Sequence, residues 1–393
     1  MVKKEKKKVF VALSGGVDSS VAALLLKKRG YDVIGVHMRC YNLDGCGEKD
    51  ARDAKRAADA LKIPFYVFNF EKEYKKSVVD YMVGGYRAGI TPNPDVMCNK
   101  EIKFGLFLKK ALAMGADCVA TGHYVKIKKS IRQPADKNKN NNSKSKIIYK
   151  LYQARDGNKD QSYFLWTLNQ ERLRRCLFPI GGYLKSEVRQ MARRAGLPAA
   201  DKKDSQGVCF IGKISLPEFL NSEIPAKKGP VLNLKGEKIG EHGGAHLFTV
   251  GQRHGIKISA KKPLYVVSKN VRTNTLVATE GSDHPSLYKE GVILRGVNFI
   301  NPAASFVSSL IRANRRIAVN GETGTKMEVE ARAGARIFAR VRYRQPLFPA
   351  EISKLRNGRY KLVFDKPQKF IAAGQSAVFY AKSGEVLGGG VIA

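Results

Sequence analysis

The chain has 393 residues, 43% of them apolar, and 71 Lys and Arg against 34 Asp and Glu give a net charge of +37; this length calls for two or three domains. No run of 18 apolar residues occurs, which excludes a transmembrane helix. The five apolar residues between the charged start and Ser14 are too few for a secretory signal, so a cytoplasmic location is expected and the six cysteines read as thiols or catalytic groups.

The first half alternates strand and helix patterns. Residues 9–13 read as a buried strand and residues 21–26 as a buried helix. Residues 31–38 are a second strand, entered after Gly30, a helix stop preceded by Lys27, Lys28 and Arg29, whose charges suit that end of the dipole. Residues 50–61 are helical, with Ala54, Ala57, Ala58 and Leu61 at spacings of three and four. Pro64 opens a strand at 65–70, a helix covers 101–114 and ends at Gly115, and a strand over 117–121 runs into Gly122 and His123. This order predicts an α/β fold with a parallel, doubly wound sheet whose ligands bind at the carboxyl ends of the strands. Ser14, Met38 and Gly122 fall at that edge. Residues 128–146 turn to Lys, Asn, Ser and Gln, which reads as the disordered basic tip of a hairpin, an inert insertion rather than an RNA contact. Beyond Phe210, glycines and short alternating runs at 264–267, 337–343 and 360–364 predict a β-rich part ending in a small barrel. The expected domains are 1–212, a central β-rich domain over 213–285, and a C-terminal β-barrel over 286–393.

Two segments carry chemistry. Ser14-Gly15-Gly16-Val17-Asp18-Ser19-Ser20 joins the first strand to the first helix. The glycine pair permits a tight turn that gathers backbone N–H groups, and the helix start adds positive partial charge, which suits pyrophosphate. Ser14, Ser19 and Ser20 supply hydroxyl donors, and Asp18 can hold magnesium. The segment lacks the GK[ST] of a Walker loop and the GxGxxG of a dinucleotide fold. The second segment is Thr91-Pro92-Asn93-Pro94-Asp95-Val96-Met97-Cys98-Asn99-Lys100. Asn99 is the expected N-cap of the next helix, which places Cys98 at a helix start beside Lys100 and Lys103, conditions that favour thiolate. Asp95 is near enough in sequence to carry a proton. Cys209, after Lys202 and Lys203 and between Val208 and Phe210, reads equally as reactive or as buried. Cys40, Cys46, Cys118 and Cys176 read as structural or incidental, and no zinc site is expected. Adenylation turns a carbonyl oxygen into a leaving group, a sulfur nucleophile then replaces it, and a second thiol can release the product by forming a disulfide.

SGGxDS is the pattern of PP-loop ATP pyrophosphatases. Together with TPNPDVMCNKEIKFG, ATGHY, KDQSYFLW, KSEVRQMA, DSQGVCFIG, FTVGQRHGI, RYRQP and GQSAVFY…GEVLGGGVI, in this order across nearly the whole chain, it resembles the tRNA-specific 2-thiouridylases. The resemblance implies ATP binding by Ala12, Leu13, Ser14, Gly15, Gly16, Val17, Asp18 and Ser19, with Met38 and Gly122 on the adenine side, and magnesium beside the phosphates. It implies that Asn93, Pro94 and Asp95 meet the flipped wobble base, that Cys98 is the nucleophile completing transfer, and that Cys209 carries a persulfide. It further implies that Cys98 and Cys209 can pair as a disulfide. Lys159, Asp160 and Gln161, and Arg342, Tyr343 and Arg344, match stretches that contact tRNA. The implied partners are tRNA and a sulfur-relay protein or cysteine desulfurase, and the protein is expected to act as a monomer. Released hydrogen sulfide as the nucleophile, or an iron–sulfur cluster on Cys98 and Cys209, are the alternatives within the family; the cluster is not favoured. Ala372-Ala373-Gly374-Gln375 replaces the usual TPGQ and is expected to loosen a barrel turn. An amidating ligase with the same loop, or an RNA chaperone that uses ATP only structurally, are the rivals from other classes. The charge excess reads as a nucleic-acid footprint or as a generally basic surface.

Overall fold

The computed structural model describes residues 6–41, 46–132, 146–203, 214–256, 258–302 and 334–393. Two units divide the chain: Met1–Val79 with Pro94–Ile214 and Gly384–Val386, and Asp80–Asn93 with Ser215–Ser383 and Leu387–Ala393.

In the first unit the elements are β1 (Lys8–Ala12), α1 (Val17–Lys28), β2 (Asp32–Arg39), α2 (Cys46–Ala60) and β3 (Phe65–Asn69). Three helical pieces, Pro94–Met97, Cys98–Phe107 and Leu108–Ala113, then run end to end and are together called α3. They are followed by β4 (Cys118–Ala120), β5 (Val125–Arg132), β6 (Lys146–Gln153), β7 (Cys176–Leu177) and α4 (Lys185–Arg194). The sheet runs β3-β2-β1-β4-β7 and every pairing is parallel, as the alternation implied. Val9, Val11 and Leu13 share a core with α1 and α4, and Phe10 between them is buried on the opposite face, the two-residue period of a strand covered on both sides. Successive strands leave β1 first toward β2 and β3, then on its other side toward β4. That reversal opens a crevice at the carboxyl ends of β1 and β4, where ligands of such sheets bind.

β5 and β6 form the expected antiparallel hairpin, with Val125 opposite Gln153 and Arg132 opposite Lys146. Its strands reach further than the sequence suggested: residues 128–132 stay paired, with Lys128 opposite Lys150 and Ile131 opposite Ile147. The rest of the Asn/Lys-rich tip lies outside the described residues.

The second unit holds α5 (Leu216–Glu223), β8 (Gly229–Leu232), β9 (Lys238–His242), β10 (Leu264–Asn270) and β11 (Thr275–Glu280), with a sheet ordered β10-β11-β8-β9. The later strands are β12 (Tyr288–Phe299), β13 (Ala335–Arg340), β14 (Phe348–Lys354), β15 (Tyr360–Lys369), β16 (Ser376–Tyr380) and β17 (Val386–Ile392). They close as a barrel in the order β12-β15-β14-β13-β16-β17. Leu294, Ile337, Ile352, Leu362 and Phe379 fill it, an interior packed with side chains. No helix among the described residues is long and apolar enough to cross a membrane.

Candidate active site

β1 ends at Ala12, and the chain turns through Leu13, Ser14, Gly15 and Gly16 into α1. Gly15 takes φ +73°, and a Cβ there would lie 2.8 Å from both the Asp50 carbonyl oxygen and Asp53 Cβ. A side chain is thus excluded by space as well as by backbone conformation. The hydroxyls frame the turn from within. Ser19 Oγ accepts from the Ser14 N–H at 3.2 Å and donates to the Gly16 carbonyl at 3.1 Å. Ser20 Oγ donates to the same carbonyl at 2.9 Å and is fully buried, so Ser20 shapes the loop rather than offering a donor to phosphate. Gly16 is the N-cap of α1 and no side chain caps it, which leaves first-turn N–H groups for an anion. Gly122, just past β4, approaches from the other side: a Cβ on it would lie 2.6 Å from Ser19 N and 2.7 Å from Asp18 C. The expected edge residues Ser14 and Gly122 are therefore brought together. Met38 is half-buried near the carboxyl end of β2, in register with Phe68 of β3.

A residue given no role by sequence reasoning completes this cluster. Lys185 Nζ donates to both Asp18 carboxylate oxygens at 2.8 Å, and Tyr124 Oη donates to Asp18 Oδ1 at 2.8 Å. Lys185 opens α4, and its backbone N–H is anchored on Asp156 Oδ2 at 2.9 Å. The side chain is only 13% exposed. A cation held this firmly beside the phosphate loop offers positive charge where pyrophosphate would form.

The cysteine segment folds differently from expectation. The helix starts at Pro94, six residues earlier than a cap at Asn99 would give, because proline suits the first helical position. Asn99 lies inside α3, where its Nδ2 donates to the Asp95 carbonyl at 3.0 Å. Cys98 is half-buried at the start of the π-type stretch, one turn in from the helix start, so the dipole favours its thiolate less than a terminal position would. Burial raises the Asp95 carboxyl above the ordinary range, and nearby Lys103 opposes that shift. Lys103 also acts on His123, which burial holds well below its ordinary pKa and therefore neutral at pH 7. His123 Nδ1 bonds Thr121 Oγ1 at 2.6 Å, and its ring lies 5.8 Å from Phe104 and 6.1 Å from Phe178. α3 is thereby fixed against the end of β4, and Lys103 links Asp95 with a histidine that the sequence reading left without a role. Burial also raises the Cys118 and Cys176 thiols, which keeps both protonated. Cys209 lies outside the described residues, and so does any pairing of it with Cys98.

The expected tRNA stretches prove uneven. Asp160 is 2% exposed and accepts from the N–H groups of Ala154 and Ser162 and from Ser162 Oγ. Gln161 Oε1 accepts from the Tyr124 N–H at 2.9 Å, holding the residue that bonds Asp18. Both are internal braces, and Lys159, half-buried like Gln161, is the cation of the trio. In the second unit β13 stops at Arg340, so Arg342, Tyr343 and Arg344 lie in a turn rather than on the alternating strand. Arg342 donates to the carbonyls of Phe370 at 2.9 Å and Val250 at 2.7 Å, whereas Arg344 is exposed. The Ala-Ala-Gly-Gln turn is not loose: Ala373 O accepts from Thr91 N–H at 2.8 Å and Gln375 Nε2 donates to Thr91 O at 3.0 Å.

A doubly wound parallel sheet with a phosphate loop at its switch point defines a PP-loop type of nucleotide-binding protein. Three family profiles cover most of the chain. They are described as a tRNA methyl transferase HUP domain over residues 7–213, a tRNA methyl transferase PRC-barrel domain over 217–280 and an aminomethyltransferase beta-barrel domain over 324–392. The tRNA-specific 2-thiouridylase MnmA of Christiangramia forsetii is 40% identical over 427 residues, covering 98% of this chain and 100% of that protein. Its counterpart from Streptococcus thermophilus is 42% identical over 404 residues, covering 100% and 96%. The chain belongs to the tRNA-specific 2-thiouridylase family. A solved 4-thiouridine synthetase–RNA complex with bound ATP aligns at a TM-score of 0.31 and 18% identity over 56% of this chain and 50% of that one.

Proposed function

We propose that this protein replaces the carbon-2 oxygen of the tRNA wobble uridine with sulfur at the expense of ATP. The observation that carries the reading is the uncapped start of α1, set by Gly15, narrowed by Gly122 and flanked by the Lys185–Asp18 pair. It supports pyrophosphate binding, in a chain that aligns end to end with proteins named tRNA-specific 2-thiouridylase.

The uridine oxygen attacks the α-phosphorus of ATP and pyrophosphate leaves; Lys185 and the α1 N–H groups offset its charge. Asp18 has the oxygen ligands magnesium takes, and a magnesium ion bound with ATP would be held there, supplying further charge for the leaving pyrophosphate. The terminal sulfur of a Cys209 persulfide, loaded by a sulfur-relay protein or a cysteine desulfurase, attacks carbon-2, and AMP leaves. Cys98 thiolate then attacks the Cys209 sulfur, forming a Cys98–Cys209 disulfide and freeing the thiolated base. Two equivalents of an external thiol, oxidised to their own disulfide, restore the pair. Asp95, with its raised carboxyl pKa, holds or takes a proton beside the flipped base, which Asn93 and Pro94 position. A wobble base is single-stranded, so extruding it costs little. Arg344 and Lys159 meet tRNA phosphates, with domains at 1–212, 213–285 and 286–393 dividing chemistry from RNA holding. The enzyme works as a cytoplasmic monomer.

The profile descriptions name methyl transfer, a second reading that needs neither ATP cleavage nor a thiol. Nucleoside mass spectrometry separates them: unmodified tRNA is incubated with protein, ATP, magnesium, a cysteine desulfurase and cysteine. A 2-thiouridine that appears only with ATP supports thiolation; a methylated nucleoside, or none while ATP is spent, overturns it.

A further inference from the structure

The amino-terminal edge of the same sheet carries charge that the reaction does not use. A hollow of about 460 Å³ opens there, lined by Lys7, Arg29, Lys129, Arg174 and Arg175 with one carboxylate, Asp117. A second, of about 880 Å³, shares Lys7, Tyr31 and Asp117 with the first and adds Lys6, Lys8, Lys27 and Lys62 against Asp32. The hollows are therefore continuous along the starts of β1, β2, β4 and β7. Some of these cations have local reasons: Lys27 donates to the Leu61 carbonyl and Arg175 to the Asp117 carbonyl. The Asp117 carboxylate accepts from the Lys8 backbone N–H at 2.8 Å. Lys7, Lys129 and Arg174 are exposed. Lys7 and Lys129 lie on strands or their approaches, where no helix end calls for positive charge.

We infer that this edge is a second RNA-binding surface, which holds the backbone of the tRNA body away from the ATP loop. The inference rests on the thiolation reading for its choice of RNA. The four strand starts span about 14 Å at strand spacing, and a nucleic-acid duplex carries a charge about every 1.7 Å of axis, so cations along this edge face a matching density of phosphates. Tyr31 and Tyr149 interleave with the cations, and Lys129 Nζ lies 5.8 Å from the Tyr149 ring centroid, the mixture of charge and flat apolar surface that sugar and unstacked bases accept. Ligands of doubly wound sheets bind at the opposite edge, so these residues meet RNA without touching the reacting base.

The test compares the whole protein with a Lys7→Gln/Lys129→Gln/Arg174→Gln variant and with a control, Lys72→Gln/Lys76→Gln/Lys109→Gln, that loses equal charge elsewhere in the unit. Dissociation constants for full-length tRNA and for an isolated anticodon stem-loop are measured across salt concentration. The edge variant is expected to bind full-length tRNA about tenfold more weakly, with a salt slope shallower by about two to three. Its affinity for the stem-loop and its kcat at saturating tRNA stay within about twofold of wild type, on the argument that backbone contacts position without joining the chemistry. Equal weakening in the control, equal loss with the stem-loop, or an unchanged slope overturns the inference. Failure of the wild type itself to bind tRNA would instead sink the thiolation reading.

Discussion

The phosphate loop and the barrel turn were both singled out from sequence as binding sites, and they teach opposite lessons. In the loop, backbone and spacing do the work: Gly15 and Gly122 are required by geometry, and the serine hydroxyls hold the turn in shape. In the barrel turn, a lone basic cluster splits into two kinds of residue: Arg342 is spent on the carbonyls of Phe370 and Val250, and Arg344 is left to solvent. A motif whose spacing serves the backbone survives folding as a site; a run of like charges does not stay equivalent.

Gly122→Val should break the first half of that contrast outright. Its Cβ would meet the backbone of Asp18 and Ser19, and misplacing the loop by about 1 Å is expected to cost about a hundredfold or more in tRNA-stimulated pyrophosphate release. Lys185→Met leaves the loop's backbone intact and removes the charge beside it. Losing a charged hydrogen bond worth about 1.5–3 kcal/mol should lower kcat/KM for ATP about 10- to 100-fold, and an unchanged value would mean that Lys185 only braces Asp18. Lys103→Met tests the electrostatics of α3. Lys103 lowers both Asp95 and His123, so neutralising it raises both. If the deprotonated forms are the active ones, the acid limb of the pH profile of kcat/KM moves to higher pH; a limb that stays or moves down contradicts the coupling. The smallest effect belongs to the barrel. Arg342→Ala should destabilise the second unit by about 1–3 kcal/mol, since two carbonyls lose their donors, while tRNA affinity barely changes. Arg344→Ala should do the reverse, and both show in melting temperature set against dissociation constant.

Much of this was legible in the chain. The strand–loop–helix of the ATP edge was readable because glycine and serine at fixed spacing have a backbone meaning. The parallel sheet followed from alternation, and the barrel from short strands after Phe210. Lys185 escaped because it stands 167 residues from Asp18, and only packing of α4 brings the charges together. The Asn99 cap failed for a local reason: the fixed φ of Pro94 suits the first helical position and starts the helix before Asn99 is reached. Asp160 was matched to a tRNA-contacting stretch, and nothing in its neighbours signals that donors from Gln153, Ala154 and Ser162 converge on it.

The proposed reaction comprises two separable half-reactions, adenylation at the loop and sulfur release at a thiol. The most direct measurement counts pyrophosphate and 2-thiouridine in the same tube for wild type and Cys98→Ser. The variant is expected still to release tRNA-dependent pyrophosphate while free 2-thiouridine falls to background. Loss of both together, or 2-thiouridine formed at the wild-type rate, would contradict this separation.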